Sequence, residues 1–494
     1  MLTVKPSLFS AKRNTRSSVT NSHYWLILIA LSAFLLGGCQ TFRNQPVTRT
    51  LDGLYQGGLY ESAAMTAESK LKLVDAKDAL LSVTPQTGKV LLHLEAAENW
   101  RLARNPARAI EHFDAVETLL KQSDTTHWLT TSTQNLGAIV TNDSAISYVP
   151  TPPERILTNF YKALAFWDGG ELENARVEFN RANDRARIAV ESYEEGLKKA
   201  QEKTQSEEPL TNGRENDTRS TTTNNSIRRQ FPEIDQWKVF NDFVNPAVAY
   251  INALFLAATS PPDIEKSLTL MRRVRGMVGS HPVIDQDLLE LKEQNGLGVE
   301  QKAVWIVYES GLSPEMVERH FSFPVFTRHG VVNVGMSLPS LKPRQPNAWT
   351  MQPLIFSDNN PIAFSEITHM DRVMQTEFKK RWPTLLTRAI ASATTKAIMQ
   401  DNLARELGPL GNILGFAMSA ATTQADTRMW RSMPESWSVA RLKASDLLKL
   451  NIKYGANQQE QIRLTGDKNL IIYIKQPTTQ AKPLIYTLQL TEGV

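Results

Sequence analysis

From about residue 51 to residue 300, apolar positions recur every three or four residues within Ala-rich stretches, the spacing of helices that bury one face. From about Lys302 the period shortens to two. Ala303–Glu309, Phe321–Phe326, Val331–Leu338 and Ile362–Ile367 read as strands, as do Ser436–Leu442, Leu448–Tyr454, Gln461–Thr465, Asn469–Lys475 and Leu484–Leu490. Gly466-Asp467 between two of these runs reads as a hairpin turn. Helical spacing returns between the two strand groups, from Asp371 to Leu407, where Val373, Phe378, Leu385, Ile390 and Ile398 are apolar. Pro383 should divide that stretch into two helices. The pattern predicts an α+β protein. A helical region, 51–300, precedes a β-rich, sandwich-like region, 301–494, with a helical insertion over 371–422.

Three segments depart from these periods. Residues 131–153 carry turn-forming residues and prolines, which suits a packed surface loop more than a binding loop. Residues 197–229 are polar and charged, with too little apolar surface to order themselves, and predict a disordered loop. Pro409–Ala421 is apolar and rich in small residues. It is too short to span a bilayer, so a closely packed helix is favoured over contact with a membrane surface.

A single frame recurs within the helical region. In the stretch from Arg155 to Ala186, the residues Ala163, Phe166, Gly170, Ala175, Phe179 and Ala182 alternate small, aromatic and turn positions. A second copy uses Ala97, Trp100, Ala109, Phe113 and Val116, with Asn105-Pro106 at the turn. Weaker copies use Gly58, Tyr60 and Ala63, and then Ala253, Leu256, Ser267, Met271 and Val274. This frame resembles the tetratricopeptide repeat, in which helical hairpins stack into a superhelix whose concave face holds peptides or partner proteins. An unrelated helical bundle would also place Ala and aromatics inside. In the repeat reading Asn159, Lys162 and Phe166, on the first helix of the best copy, are candidate partner-binding residues.

The first 23 residues carry four positive charges and no negative one, an apolar run follows from Tyr24 to Leu36, and Leu36-Gly37-Gly38-Cys39 closes the segment. This is the three-part build of an export signal, 1–38. Its end resembles the lipobox of bacterial lipoproteins, which implies that Cys39 becomes the acylated (palmitate-bearing) first residue, followed by a short tether, 39–50. Gln40 in place of Asp resembles the outer-membrane sorting outcome in Gram-negative cells.

Removing that segment also removes an apparent clue. The whole chain has formal charge +4, but Lys5, Lys12, Arg13 and Arg16 lie in the signal, leaving 51 Lys+Arg against 51 Asp+Glu. A near-neutral mature chain with no basic, aromatic-laced stripe predicts no nucleic-acid partner. One cysteine excludes a disulfide framework and a multi-thiolate zinc site. No phosphate-cradling, HExxH, GxSxG or CxxC motif occurs, so no cofactor is expected. His93 and His112 sit within a repeat, in helix-surface or core roles. His320 and His329 flank a strand within reach of Glu309 or Glu318 as a weak candidate site; His127 and His281 match no ligand pattern. His369, Asp371 and Arg372 read as capping and surface charge.

Leu136–Asn183, Val304–Pro314 and Ala425–Pro434 together resemble a family of predicted Gram-negative lipoproteins with tetratricopeptide-like repeats. The resemblance brings no established activity and no catalytic residues. Asp426, Arg428 and Trp430 are its most site-like positions; a partner-recognition role and a buried ion pair fixing the insertion to the next strand are both open, the second favoured. The expectation is a non-catalytic, lipid-anchored protein of the outer membrane facing the periplasm. Its repeats would serve as scaffold or adaptor for a periplasmic or outer-membrane protein in envelope assembly or peptidoglycan synthesis. The alternative is a cell-wall hydrolase or ligand-binding protein with its site in the β-rich region.

Overall fold

The computed structural model describes residues 49–75, 79–123, 148–206, 227–240, 245–327, 330–344, 355–357, 360–408, 425–446 and 449–489. The signal segment, Cys39, His127, His329 and the run 409–421 lie outside them. Helices fill the N-terminal half and sheets the C-terminal half, as the periods predict.

A helical segment at 49–56 turns through Gly57-Gly58 into α1 (Tyr60–Lys70). Three further consecutive pairs follow: α2 (Val90–Leu102) with α3 (Pro106–Ser123), α4 (Pro152–Asp168) with α5 (Leu172–Ser206), and α6 (Pro246–Ala258) with α7 (Ile264–Val278). α8 (Pro282–Glu293) completes the half. Local chemistry sets the boundaries. Pro106, Pro152 and Pro246 start helices where a missing N–H costs nothing. Asn245 and Asp263 accept bonds from the first-turn amides of α6 and α7. Gly170 makes the turn between α4 and α5 at φ +78°, a conformation that a side chain would strain.

The first helices of these pairs are buried on nearly every side: eleven of thirteen residues in α2, fourteen of seventeen in α4, twelve of thirteen in α6. By contrast, α7 buries four of fifteen. The first helices are therefore enclosed between the second helices and something else. That something is the C-terminal half.

Its strands are β1 (Ala303–Ser310), β2 (Glu315–Thr327), β3 (Gly330–Lys342), β4 (Ile355–Ser357), β5 (Asn360–Pro361), β6 (Ser365–His369), β7 (Ser436–Lys443), β8 (Lys449–Tyr454), β9 (Gln458–Arg463), β10 (Leu470–Gln476) and β11 (Leu484–Gln489). They form a five-stranded sheet ordered β11-β10-β1-β7-β6, a four-stranded sheet β5-β4-β8-β9, and the ribbon β2-β3. β1 and β10 pair in parallel, and the other pairings are antiparallel. Alternation gives the five-stranded sheet two faces. Val304, Ile306, Ala440, Ile472 and Ile474 meet Ile355, Leu450 and Ile452 of the four-stranded sheet in an aliphatic core. The opposite face meets the helices.

Several expectations change. Gly466-Asp467 is no hairpin turn: β9 and β10 belong to different sheets, so this turn carries the chain from one sheet to the other. α9 (Met370–Leu407) runs through Pro383 unbroken; Pro383 is exposed while Trp382, Thr384 and Leu386 are buried, so packing on one side holds the helix across the lost hydrogen bond. Of the loop expected over 197–229, the part up to Ser206 is helical and the chain from Ile227 is packed, while 207–226 lie outside the described residues. Ile227, Phe231 and Ile234 fill a core with Phe378 and Trp382 of α9 and Val334, Met336 and Leu338 of β3. Pro152 and Pro153, expected in a loop, are the first residues of α4. The change of period near residue 300 is not a boundary in packing, since Thr48–Val494 forms one compact unit.

Candidate functional site

The helix-facing side of the five-stranded sheet carries charge. Glu309 (β1) and Lys475 (β10) meet Glu98 and Arg101 of α2, and all four are fully buried. Lys475 Nζ lies 2.6 Å from Glu98 and 2.7 Å from Glu309, and Arg101 pairs with Glu98 at 2.7 Å. Tyr161 (α4) donates to Glu309 at 2.6 Å, Tyr473 donates to the other oxygen of Glu309, and Arg101 donates to Tyr486. Two cations and two anions thus neutralise one another inside the protein. Burial alone would raise the Glu98 carboxyl, but Arg101 and Lys475 outweigh it and hold it below its ordinary value.

A second cluster repeats the plan further along the sheet. Asp287 of α8 accepts from Arg441 (2.8 Å), Trp305 (2.9 Å) and Tyr250 (2.7 Å), and Arg441 also clasps Glu290. Burial outweighs these partners and raises Asp287 to about 6. A third lies within the helices, where Glu68 accepts from Trp100, Arg108 and His112. Burial opposes ionisation of Glu68, but these bonds bring it down to about 2. Burial and the neighbouring His112 bring His93 down to about 3. His93 and His112 are therefore core residues.

Between the helices and the sheet runs an irregular strap, 425–434, with neither helix nor strand over its length and a turn at 431–432. It is held mostly through its backbone. The Trp430 N–H donates to Glu154 (2.7 Å), the Arg431 N–H to Glu95 (2.8 Å), and the Ser432 hydroxyl to the other Glu95 oxygen (2.7 Å). The Ser432 carbonyl accepts from Tyr55 (2.8 Å) and Lys475 (3.3 Å), and the Arg431 carbonyl accepts from Arg344 (2.9 Å). The Trp430 ring is fully buried, 5.6 Å from Tyr161 and 6.5 Å from Phe113, centroid to centroid. Glu154 has a double role: as the third residue of α4 it also accepts the Thr151 N–H (2.6 Å), so one carboxylate caps the helix and seats the strap. Burial raises Glu95 to about 7, against the bonds from Ser432 and Arg431.

At the rim of the strap, Arg428 pairs with Asp426 in a fork (2.8 and 2.7 Å) and lies over the Tyr148 ring. This is the expected ion pair, but it is about one-third exposed; burial belongs to Trp430. Beside it a cleft of about 70 Å³ is lined by Tyr148, Met316, Met374, Arg381 and Met429 among others. That holds a few waters or one small side chain, whereas sites for metabolite-sized ligands run to about 300–1,000 Å³.

Asn159 and Lys162 do not line an open groove. They are 0% and 3% exposed, enclosed among α3, α4 and α5. Asn159 donates to Glu117 and Glu178, and Lys162 bridges Asp114 (2.8 Å) and Glu178 (2.9 Å). Carboxylates on both neighbouring helices draw these polar side chains inward. Phe166 is half-exposed under Lys162, and Trp167 takes the inter-helix packing instead, against Phe179 and Phe255. His320 is exposed and meets Glu318 at 3.5 Å and Ser337 at 2.7 Å, while Glu309 lies apart from it in the first ionic cluster. His369 sits between Asp371 and Glu435, whose carboxylates raise it to about 10. His281 caps α8. Among the described residues no group of three or more His, Cys, Asp or Glu is disposed to hold a metal ion, and no helix is long and apolar enough to cross a membrane.

The residues that sequence reasoning missed are Glu95, Glu154 and Lys475. The only signal was weak: carboxylates within Ala-rich helical runs and a lysine within an apolar strand, each costly there unless paired. No known protein family, curated protein or solved structure matches the chain.

Proposed function

We propose that this is a non-catalytic envelope protein, anchored by lipid on Cys39 to the outer membrane and facing the periplasm. Its helical pairs act as a scaffold for protein partners in cell-envelope assembly or peptidoglycan synthesis. One observation carries the reading: the helical pairs seat an irregular segment by its backbone groups and one aromatic anchor. Repeat scaffolds hold partner peptides in the same manner. In this reading the pairs are tetratricopeptide-like units and the two facing sheets are sandwich-like. The resemblance of three segments to predicted Gram-negative lipoproteins agrees with it. So does the pairing of the buried carboxylates Glu98, Glu309 and Asp287 with cations and tyrosines, the arrangement of structural rather than proton-transferring groups.

Because the chain's own strap and sheet fill the inner face, a partner engages the outer one. Half-exposed Phe166 and exposed Val177 and Ile188 lie there. The test is photo-crosslinking in cells from probes at Phe166, Val177 and Ile188, followed by mass spectrometry. One dominant periplasmic or outer-membrane adduct supports the scaffold. Absence of adducts from all three, together with peptidoglycan cleavage or binding by the whole protein, overturns it in favour of a hydrolase or ligand-binding role. Labelling with a palmitate analogue, lost in Cys39→Ala, tests the anchor separately.

A further inference from the structure

The turn between the segment 49–56 and α1 is fixed by the far end of the chain. A Cβ on Gly58 (φ +75°) would lie 3.1 Å from the Ala481 Cα, so only glycine lets the turn settle there. Thr478 donates to the Gln56 carbonyl, the Tyr60 hydroxyl donates to the Lys482 carbonyl (3.4 Å), and Arg431 pairs with Asp52. On this support stands Leu59, 56% exposed, which with Val299 is the most exposed large apolar side chain among the described residues. Arg49 is exposed, and Lys482 extends into solvent beside Glu460. Glu61 is exposed nearby, so charges of both signs border the turn and apolar contact is its distinguishing feature.

Nine residues, 40–48, separate Cys39 from Arg49. The ten residue steps from Cys39 to Arg49 reach at most about 35 Å when fully extended. If Cys39 carries lipid, as proposed above, the face around residue 49 is confined to within that distance of the bilayer. One leucine would hardly bind a membrane from free solution. A short tether raises its effective concentration to the order of millimolar, at which a weak contact is populated.

We propose that the face made by the turn 57–59 and the loop 478–482 rests on the lipid surface that holds Cys39, with Leu59 entering the headgroup region. The inference depends on the lipid-anchor reading. It fixes the orientation of the molecule: this face is membrane-proximal, and the rest of the fold projects into the periplasm.

The experiment uses the full-length lipidated protein in phosphatidylethanolamine–phosphatidylglycerol vesicles. Acylation consumes the only native thiol, so a cysteine introduced as Leu59→Cys, or as Val177→Cys for control, takes an environment-sensitive fluorophore alone. The expected result is emission at shorter wavelength at position 59, quenching by nitroxide lipids, and protection from aqueous iodide, none of which occurs at 177. A long Gly-Ser insertion after Asn44 should reverse all three. Equal iodide quenching at 59 and 177, with Cys39 acylated by intact mass, overturns the docking and leaves the anchor standing. An unacylated Cys39 overturns both.

Discussion

The two faces of the five-stranded sheet solve the same burial problem by opposite means. Toward the four-stranded sheet, Ile306, Ile472, Ile474 and Ala440 pack with Leu450 and Ile452 in an aliphatic core. Toward the helices, Trp305, Glu309, Arg441, Tyr473 and Lys475 carry ionic and aromatic groups that are satisfied partly by one another and partly by residues of α2, α4 and α8. An aliphatic face accepts any partner of suitable shape. The ionic face accepts one register, because a shift of one residue strands buried charges. The difference therefore divides stability from specificity: apolar burial supplies free energy without direction, and the clusters fix where the helical half sits on the sheet.

The comparison can be broken most severely at Lys475. Lys475→Ala leaves Glu98 and Glu309 sharing one cation, Arg101, and should cost about 3–5 kcal/mol in urea unfolding. A loss below about 1 kcal/mol would show that water enters the cluster. Next comes pH. Glu95 is raised from 4.5 to about 7 and Asp287 from 3.8 to about 6, both chiefly by burial. A carboxyl whose folded pKa lies above its unfolded value binds its proton more tightly in the folded state. Its contribution is fully present below the unfolded value and is lost as pH rises through the folded one. These two groups should therefore make stability fall between about pH 4.5 and 7, and Glu95→Gln should flatten that slope. Unchanged midpoints for wild type and variant across that range would count against the burial assigned to Glu95.

On the aliphatic face, Ile472→Val should cost about 1 kcal/mol and leave the pH profile of stability unaltered. A changed profile would mean that the two faces are coupled through the sheet. The smallest effect belongs to Asp426→Ala, which removes a partly exposed pair and should stay below about 1 kcal/mol, against several for Trp430→Ala in the same strap. Similar losses from both would move the strap's anchor from the ring to the ion pair.

Much of the architecture was legible because it depends on local chemistry. Alternation located the strands of the five-stranded sheet and β8 and β9 of the four-stranded one, but not the short β4 and β5, and small residues with turn residues located the helical pairs. What was not legible is pairing across the sequence. Lys475 and Glu98 are 377 positions apart, and nothing in either neighbourhood names the other. Asn159 and Lys162 read as groove residues because they lie off the small and aromatic packing positions of the repeat frame; their burial depends on Asp114, Glu117 and Glu178 from two other helices. Pro383 failed as a helix breaker for a related reason, since the buried face of α9 is chosen by a ribbon that a local window does not include. In the strap, composition identified Asp426, Arg428 and Trp430 as unusual. Only the fold shows that the tryptophan is the anchor and the ion pair is at its rim.

The parallel pairing of β1 with β10 has a consequence for the time course of folding. β10 lies between β1 and β11, so the first strand of the large sheet waits for nearly the last. Glu98 and Arg101 wait with it, because Lys475 and Tyr486 come from those final strands. A chain emerging from its N-terminus can form helical pairs early, with Glu98 and Arg101 already paired in α2, yet lacks their remaining partners Lys475 and Tyr486 until its closing segment has appeared. Contacts of such long sequence separation slow the search for the native state. Synthesis or transport that stalls before residue 470 would leave the molecule without β10 and β11, and so without the Lys475 and Tyr486 contacts that cover Glu98 and Arg101.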